Sequence, residues 1–544
     1  MLSYRKLAMR VLGRPLHTGG NDSPRPASQR AAALILTAAM LTTLTAPAFA
    51  KEWYIEEGDI TVRAGETEGT NKVSQGENPE VEDTNTVITN SDKDKASSNT
   101  VTIEAKDKDD KVEVTLKDVN IDASSRSEAA VSVTGEGNTN IELDGDNALK
   151  SDIYSSGISS SGSLTISGGE NDSLTAQGGS GADGIYSSGS LTISGGTVTA
   201  NGGSGGGGDG GDGIWSSGGV TISGGSTVTA NGGDGKDDYG GDGIRSSDVT
   251  ISGGSTVTAN GGNGGNVSGD GIRSDGGVTI SGGTVKAAGG DSKDGYGGDG
   301  IRSGGVVTIS GNTVNAAGGN GGKVGGYGIC SFDRVAISGG TVNAAGGNGG
   351  KVGGDGIYSN DIDLSGSLEL TAKAGSPNGK ALSRAGSELD LDTIKDKLGS
   401  GAKVTTTDAD GKVNQVSVPR PVEPEKPVIP EESSSSSDGG SATPSAPASP
   451  LPGLTVTDKD GQHISYTSIR GNNVLSIRVG RFTASLRASL ATLRQLRAEG
   501  IDTITFQTIL CSTTLSVDEL LAMGGEDAEA VLTHRLTASS LTVS

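Results

Sequence analysis

Aromatic and arginine side chains recur at one position of a sequence repeat, directly after an isoleucine. Aromatic rings stack on the apolar C–H face of a pyranose, and arginine forks pair bidentately with the carboxylates of uronic acids. A position that is merely solvated is the alternative interpretation, but drift there would favour Ser, Thr, Asp or Lys. We therefore predict a glycan-binding strip formed by Tyr186, Trp215, Arg245, Arg273, Arg302 and Tyr358. Tyr154 occupies the same predicted position upstream, and Cys330 interrupts the run.

A row of aspartates precedes the same isoleucines by two residues. Its members are Asp183, Asp212, Asp242, Asp270, Asp299 and Asp355, with Tyr327 breaking the row. Stacked carboxylates repel one another unless a cation or an arginine lies between them, and calcium prefers oxygen ligands. Calcium is thus a predicted cofactor, with candidate ligands Asp212, Asp242, Asp270 and Asp299. The alternative is that each aspartate forms a turn before glycine.

Other recurring positions point to structure more than to chemistry. Asn201, Asn231 and Asn260 form a row at a corner, where a hydrogen-bonded amide ladder is expected. Paired T-x-T threonines resemble those of ice-binding proteins but persist over only three repeats. No histidine lies in the repeats, which excludes a Ser-His-Asp site there; the three are His17, His463 and His534. A bridge between Cys330 and Cys511 could form but has no support in the sequence.

Composition limits the architecture and the partners. The chain has 544 residues, of which 93 are glycine and 3% are aromatic, so bulky apolar volume is too scarce for a conventional globule. The net charge of -23 argues against nucleic acid as a partner. Two cysteines exclude a disulfide-dense scaffold.

The elements that would position these rows come from a repeat of 28 to 32 residues. Each copy reads GDGIxSS, VTISGG, TVTANGG and then a glycine-rich stretch. The predicted anchors are Ile153, Ile185, Ile214, Ile244, Ile272, Ile301, Ile329 and Ile357. Each repeat holds three short runs in which Val or Ile alternates with Thr, which is typical of β-strands with one buried face. Stacked coils would form a parallel β-solenoid with a rise of about 4.8 Å per coil.

The chain divides into five predicted segments. Residues 1–50 have a basic start, an apolar run and an A-x-A site, typical of a secretory signal peptide, with an uncleaved anchor as the alternative. Residues 51–99 are predicted to form an acidic N-terminal cap. Residues 100–415 are predicted to form the solenoid with its C-terminal cap, the core coils covering 153–372. Residues 416–452 form a Pro/Ser-rich linker, and 453–544 a small α+β domain.

Short elements are predicted outside the core coils. A helix is expected around 389–398 in the C-terminal cap. In the last segment we expect strands at 474–477 and 501–508, and helices at 483–499 and 516–523.

The quoted motifs carry a family resemblance. The run VEVTLKDVNIDASSRSEAAVSVTGEGNTNIELDGDNALKS, followed by SGSLTISGG and GDGIxSSGxVTISGGTVTANGG repeats, resembles clostridial surface proteins with a carbohydrate-binding β-helix domain. Those proteins are related in fold to pectate lyases. The resemblance covers about 100–372 and implies a secreted, right-handed parallel β-helix that binds plant polysaccharide, with acidic sugars and calcium as expected ligands.

These observations lead to one functional prediction and two alternatives. We expect a secreted or cell-surface, non-catalytic protein that binds a plant-type or acidic polysaccharide, without a membrane span after signal cleavage. The alternatives are a surface adhesin or spacer rod, whose partner is the cell wall or a host surface, and a calcium-dependent polysaccharide lyase. Pectate lyases pair a calcium-binding carboxylate cluster with a catalytic arginine, but nearly uniform repeats favour binding over lysis.

Overall fold

The computed structural model describes residues 51–419 apart from 68, and residues 454–543 with several short gaps. The predicted signal peptide and nearly all of the predicted linker lie outside the described residues. The described chain is mainly β-structure, and residues 52–417 form a parallel β-solenoid of about 13 turns. The solenoid predicted from the repeat is therefore confirmed.

Three parallel stacks of strands build the solenoid. The first stack contains Ile60–Ala64, Val101–Glu104, Val131–Thr134, Ile158–Ser160, Ile185–Ser187, Ile272–Ser274, Ile301–Ser303 and Leu382–Arg384. The second contains Glu52–Tyr54, Thr86–Thr89, Lys111–Lys117, Asn138–Asp144, Ser163–Gly168, Leu191–Ser194, Val278–Ile280 and Val307–Ile309. Four longer strands belong to both: Ile214–Ser223, Ile244–Ile251, Ile329–Ile337 and Ile357–Leu364.

The third stack is a separate sheet. It contains Asn120–Asp122, Asp146–Lys150, Ser173–Ser180, Thr197–Gly203, Thr227–Asn231, Thr256–Asn260, Thr284–Ala288, Asn312–Ala317, Gly340–Ala345, Leu368–Lys373, Lys403–Thr407 and the antiparallel Val413–Ser417. The alternation of residue types along these strands determines which side chains enter the core. In Thr227–Asn231, Val228 and Ala230 are buried while the threonines face outward. Identical residues then meet in register, as Val228 does with Val257.

One predicted anchor was wrong. Ile158, not Ile153, pairs in register with Ile185, and Ile153 is 55% exposed. Tyr154 is 86% exposed with a positive φ of 62°, so Ser159 takes its predicted place in the first stack. The reason lies in the residue before the anchor, which is glycine in every later coil.

That glycine is required because a strand of the third stack passes against it. A Cβ on Gly213 would lie 2.6 Å from the backbone N of Asn231, and one on Gly157 would lie 2.8 Å from that of Gln177. Ile153 follows Asp152, whose side chain could not occupy this position.

The glycine-rich stretches are ordered parts of the solenoid. The N–H of Gly233 donates to Gly211 O (2.8 Å), that of Gly241 to Gly233 O (2.9 Å), and that of Gly262 to Gly241 O (2.8 Å). This pattern continues along the loops to Gly375. Glycine supplies backbone freedom at SGG corners such as Gly253 and Gly254, which have positive φ. In the loops, glycine is needed because backbones approach too closely for any side chain.

Both ends of the solenoid add antiparallel strands. In the predicted cap region, Asn71–Gln75 pairs antiparallel with Ile60–Ala64 and with Val81–Asp83, while neighbouring strands already join the parallel stacks. A 3₁₀-helix, Ile55–Glu57, lies in the same region. At the other end Ser387–Glu388 pairs antiparallel with Leu382–Arg384. The helix predicted there consists of two 3₁₀-helices, Leu391–Thr393 and Lys395–Lys397.

Residues 454–543 have a second hydrophobic cluster of their own. One sheet contains Leu454–Thr457, Ala484–Ser489, Glu529–His534 and Ser539–Val543, and another contains Thr467–Gly471, Val474–Arg478, Thr503–Gln507 and Ser512–Ser516. The strands predicted near 474 and 501 are confirmed. The predicted 483–499 helix was half wrong, since its first part is a strand and the helix is Leu490–Ala498.

Residues Val517, Leu520 and Leu521 are helical, and much of the predicted 516–523 helix lies outside the described residues. Within the described ranges, the structure contains no helix with the length and apolarity needed to cross a bilayer.

Candidate functional site

The predicted strip forms a continuous row on the first stack. Register pairing joins Tyr186 to Trp215 and continues, one coil at a time, through Arg245, Arg273, Arg302, Cys330 and Tyr358. The three arginine side chains are 38 to 39% exposed, and the aromatic members of the strip are half-buried. The structure thus brings together all six residues predicted to bind glycan.

The first three members of the strip contact one another in sequence. The rings of Tyr186 and Trp215 meet edge to face with centroids 5.1 Å apart, and the Arg245 guanidinium lies 5.2 Å from the Trp215 ring centroid. Both arrangements are favourable for aromatic rings, whose faces are electron-rich. The contacts hold the side chains in place, which lowers the entropy lost when a ligand binds.

The strip changes character at Cys330, whose side chain is buried although its neighbours face outward. Tyr327 stacks on Tyr358 with centroids 5.1 Å apart, and the Arg302 guanidinium lies 5.2 Å from the ring of the exposed Phe332. Burial raises the pKa of Tyr327 to about 12 and also raises that of the Cys330 thiol. Cys511 lies outside the described residues, so a bridge to it stays untested.

Sequence reasoning missed Phe332 and Tyr327 as parts of this surface. Tyr327 was counted only as a break in the aspartate row. Phe332 stands where the other repeats have a small or polar residue (Ser, Asp, Gly or Asn), and that departure from the repeat was the available signal.

The aspartate row is a hydrogen-bonded ladder behind the strip. Each Oδ1 accepts a backbone N–H from the next coil. The N–H of Asp242 donates to Asp212 Oδ1 (2.6 Å), that of Asp270 to Asp242 Oδ1 (2.7 Å), and that of Asp299 to Asp270 Oδ1 (2.6 Å). Tyr327 continues the ladder with its own N–H, which donates to Asp299 Oδ1 (2.7 Å). The row is therefore structural on one side of each carboxylate.

The second carboxylate oxygen faces the arginines. Arg245 Nη1 lies 3.9 Å from Asp212 Oδ2, and Arg302 Nη1 lies 3.4 Å from Asp299 Oδ2. Arg273 Nη1 lies 4.0 Å from Asp242 Oδ2. These are loose contacts, so the guanidinium forks keep donors that can point outward to a ligand.

Burial dominates the ionisation of the aspartate row. It raises the pKa of Asp183 and of Asp299 to about 6. Burial, followed by the charges of Asp299 and Asp242, raises the pKa of Asp270 well above its usual range. Arg302 acts in the opposite direction on Asp299 and Asp270. Part of the row therefore takes up protons near pH 6, well above the ordinary range of a carboxyl group.

The donor set fits calcium poorly. Calcium takes six to eight oxygen ligands, whereas Oδ1 of each candidate aspartate already accepts a backbone N–H, and Oδ2 of Asp212, Asp242 and Asp299 faces an arginine. Among the residues that the structure describes, no three His, Cys, Asp or Glu side chains are grouped so that they could hold a metal ion. Calcium binding at Asp212, Asp242, Asp270 and Asp299 stays a prediction.

The asparagine row is confirmed as a structural ladder. Asn231 Nδ2 donates to Asn201 Oδ1, and Asn260 Nδ2 donates to Asn231 Oδ1, each over 2.8 Å. Of the histidines, only His534 is described; it is buried among the last strands, where its ring contacts Phe506 and its Nε2 pairs with Thr513 Oγ1. His17 and His463 lie outside the described residues.

Comparison with known proteins agrees with this architecture. Residues 220–244 and 278–301 match a family model described as a beta helix repeat. No curated protein and no solved structure matches the chain. The topology and this match define the chain as a parallel β-helix repeat protein.

Proposed function

We propose that the protein is a non-catalytic polysaccharide-binding rod that acts outside the cell and binds an acidic or plant-type glycan. The observation that carries the proposal is the single in-register row from Tyr186 to Arg302, which is half-exposed and whose first three members, Tyr186, Trp215 and Arg245, contact one another in sequence. The basic start and A-x-A site of residues 1–50 support a secreted or cell-surface location.

The chemistry of the row suits a chain of uronic acids. Tyr186 and Trp215 offer ring faces and edges, and the next three coils each offer one guanidinium. The coils rise by about 4.8 Å, close to the length of one sugar unit, so one side chain can serve each residue of a bound chain. A chain with net charge -23 would repel an anionic glycan elsewhere on its surface, which makes the arginine run the suitable binding position.

The binding prediction is tested by substitution within the strip. We expect the protein to bind polygalacturonate, and the double variant Trp215→Ala/Arg273→Gln to bind it at least tenfold more weakly, a loss of about 1.4 kcal/mol. The loss follows because one stacking face and one bidentate donor are removed from the middle of the row. Isothermal titration calorimetry would measure both dissociation constants.

Two matched variants distinguish recognition from bulk charge. Arg273→Lys keeps the charge but loses the planar fork, so it should bind more weakly than the wild type. Lys286→Ala removes one positive charge from the outer face of the third stack and should leave affinity unchanged. Unchanged affinity in the strip variant would favour the adhesin or spacer rod, whose partner is a protein or host surface.

The lyase alternative makes a separate prediction. Arg302 and Asp299 supply the residue types that a lyase uses, and Arg302 faces the aspartate of its own coil, whereas Arg245 and Arg273 face that of the preceding coil. The sequence Asp-Gly-Ile-Arg nevertheless recurs in three successive coils, whereas a catalytic site needs one coil whose residues differ. We expect no unsaturated uronide ends when the protein is incubated with polygalacturonate and calcium, as followed by ultraviolet absorbance. Accumulation of such ends, abolished by Arg302→Gln, would replace binding with lysis as the function.

A further inference from the structure

A second row of side chains runs along the glycine-rich loops, six residues before the strip in each repeat. It consists of Tyr239, Val267, Tyr296, Val324 and Val352, which are joined coil to coil by parallel bridges. Tyr239 is 55% exposed, Tyr296 49% and Val352 43%. We call this set the loop row.

The backbone of the loop row is held firmly. The carbonyl groups of Tyr239 and Tyr296 accept the N–H groups of Gly210 and Ser268, over 2.9 and 3.0 Å. Gly240, which follows Tyr239, has no space for a Cβ, since it would lie 2.1 Å from Gly262 O. The exposed rings are therefore presented by a packed backbone, and little order has to be gained when a ligand binds.

The spacing of the rings identifies a ligand class. Tyr239 and Tyr296 are separated by two coils, about 9.6 Å, with Val267 between them. In an extended β-1,4-linked glycan successive sugars are turned by half a revolution, so every second sugar presents the same face. We propose that the loop row is a second glycan-binding site, which takes a neutral, extended β-1,4-linked chain with its alternate sugars stacked on Tyr239 and Tyr296.

Polar side chains beside the loop row could form hydrogen bonds with the hydroxyl groups of a neutral glycan. An exposed row of amides and carboxylates lies on the other leg of the same loops: Asp234, Asn263, Asp291, Asn320 and Asn348. The two legs touch, because a Cβ on Gly235 would lie 1.9 Å from Tyr239 O. Exposed lysines, Lys323 and Lys351, directly precede the last two valines.

The loop row is too narrow to form a stable interface with a protein partner. The apolar surface is one side chain wide, with glycine backbone and polar groups beside it. A stable protein interface buries about 800 Å² on each partner, which such a line does not supply. A single polysaccharide chain needs only a line of contacts. The proposed site is independent of the strip, since no arginine belongs to it.

Cellohexaose, a neutral β-1,4-linked probe, tests the site. We expect the double variant Tyr239→Ala/Tyr296→Ala to bind cellohexaose at least tenfold more weakly than the wild type, with polygalacturonate affinity unchanged. Tyr154→Ala is the matched control, since it removes an even more exposed tyrosine that lies off the row. Failure of the wild type to bind cellohexaose, or full affinity in the double variant, would overturn the proposal.

The register of the rings provides a second test. Val352→Tyr adds a ring two coils beyond Tyr296, so it lies in the same two-coil series as Tyr239 and Tyr296, and it should tighten cellohexaose binding severalfold. Val324→Tyr makes the same change one coil out of phase and should give no such gain. Equal gains from both variants would show that exposed aromatic area matters and not spacing, and would overturn the assignment of a β-1,4-linked chain.

Discussion

Gly262→Ala is expected to lower the free energy of unfolding of the solenoid by about 3 kcal/mol or more, although it adds only one methyl group. A Cβ at this position would lie 2.0 Å from Gly233 O and 2.5 Å from Gly233 C, both atoms of the neighbouring coil's backbone. Backbone cannot rotate away as a side chain can. The coils would have to separate, which would lengthen the hydrogen bond from Gly262 N–H to Gly241 O.

Gly207→Ala is the control for this prediction. It lies in an earlier glycine-rich loop, is exposed, has no positive φ, and a Cβ there would meet nothing within 4 Å. Its effect on stability should stay within about 0.5 kcal/mol. Guanidinium denaturation followed by circular dichroism would measure both variants. Equal midpoints would show that the loops are not packed as described.

Much of the solenoid could be predicted from strand periodicity. Val or Ile at every second position, repeated at a nearly constant spacing, indicates strands with one buried face, and Ile185 to Ile357 are all buried anchors in register. The prediction failed at Ile153, because spacing alone was used. The glycine before each anchor carries the missing information, since the third stack passes directly over it.

The prediction of a helix at 483–499 was partly wrong for a related reason. Ala484, Leu486 and Ala488 alternate with polar residues and are buried on one face of a strand. Leu490, Leu493 and Leu496 then follow the spacing of a helix. Over this short window the apolar residues fit both the two-residue period of a strand and the 3.6-residue period of a helix. Pairing with the strand Glu529–His534 favours the strand for residues 484–489.

The sequence could predict the strip but not the loop row. A residue directly after a buried anchor must face outward in a strand, so the strip from Tyr186 to Arg302 followed from the sequence. The loop row did not, because glycine-rich loops have no strand period that relates Tyr239 to Tyr296. Only the bridges between coils show that these rings share a line.

The aspartate ladder should make the solenoid more stable at pH 5 than at pH 7. An aspartate whose pKa is raised on folding is favoured in its protonated form, so its contribution is present at low pH and is lost as the pH rises through the folded pKa. For Asp183 and Asp299, with pKa values of about 6, that loss occurs between about pH 4 and pH 7. Each should contribute about 1 kcal/mol to the difference between pH 5 and pH 7.

Asp270→Asn tests the same ladder by substitution. The amide oxygen can still accept the N–H of Asp299, while burial and the repulsion from Asp299 and Asp242 no longer act on a charge. An amide oxygen can replace the carboxylate oxygen as acceptor in such a ladder, because Asn263 Oδ1 accepts the N–H of Asp291 in the exposed row. We expect Asp270→Asn to be more stable than the wild type at pH 7 and to show a smaller gain on acidification, measured by denaturation midpoints at both pH values.

The exposed row supplies the matched control, and the outcome also decides on calcium. Asp291→Asn makes the same change where Oδ1 accepts the N–H of Asn320 but the side chain is exposed, so stability and its pH dependence should stay close to those of the wild type. If calcium were bound by the buried row, Asp270→Asn would remove a charged ligand, and both this variant and a chelator would lower stability at pH 7. A gain in stability from Asp270→Asn, unaffected by chelator, would show instead that neighbouring backbone and arginines satisfy these carboxylates without a metal.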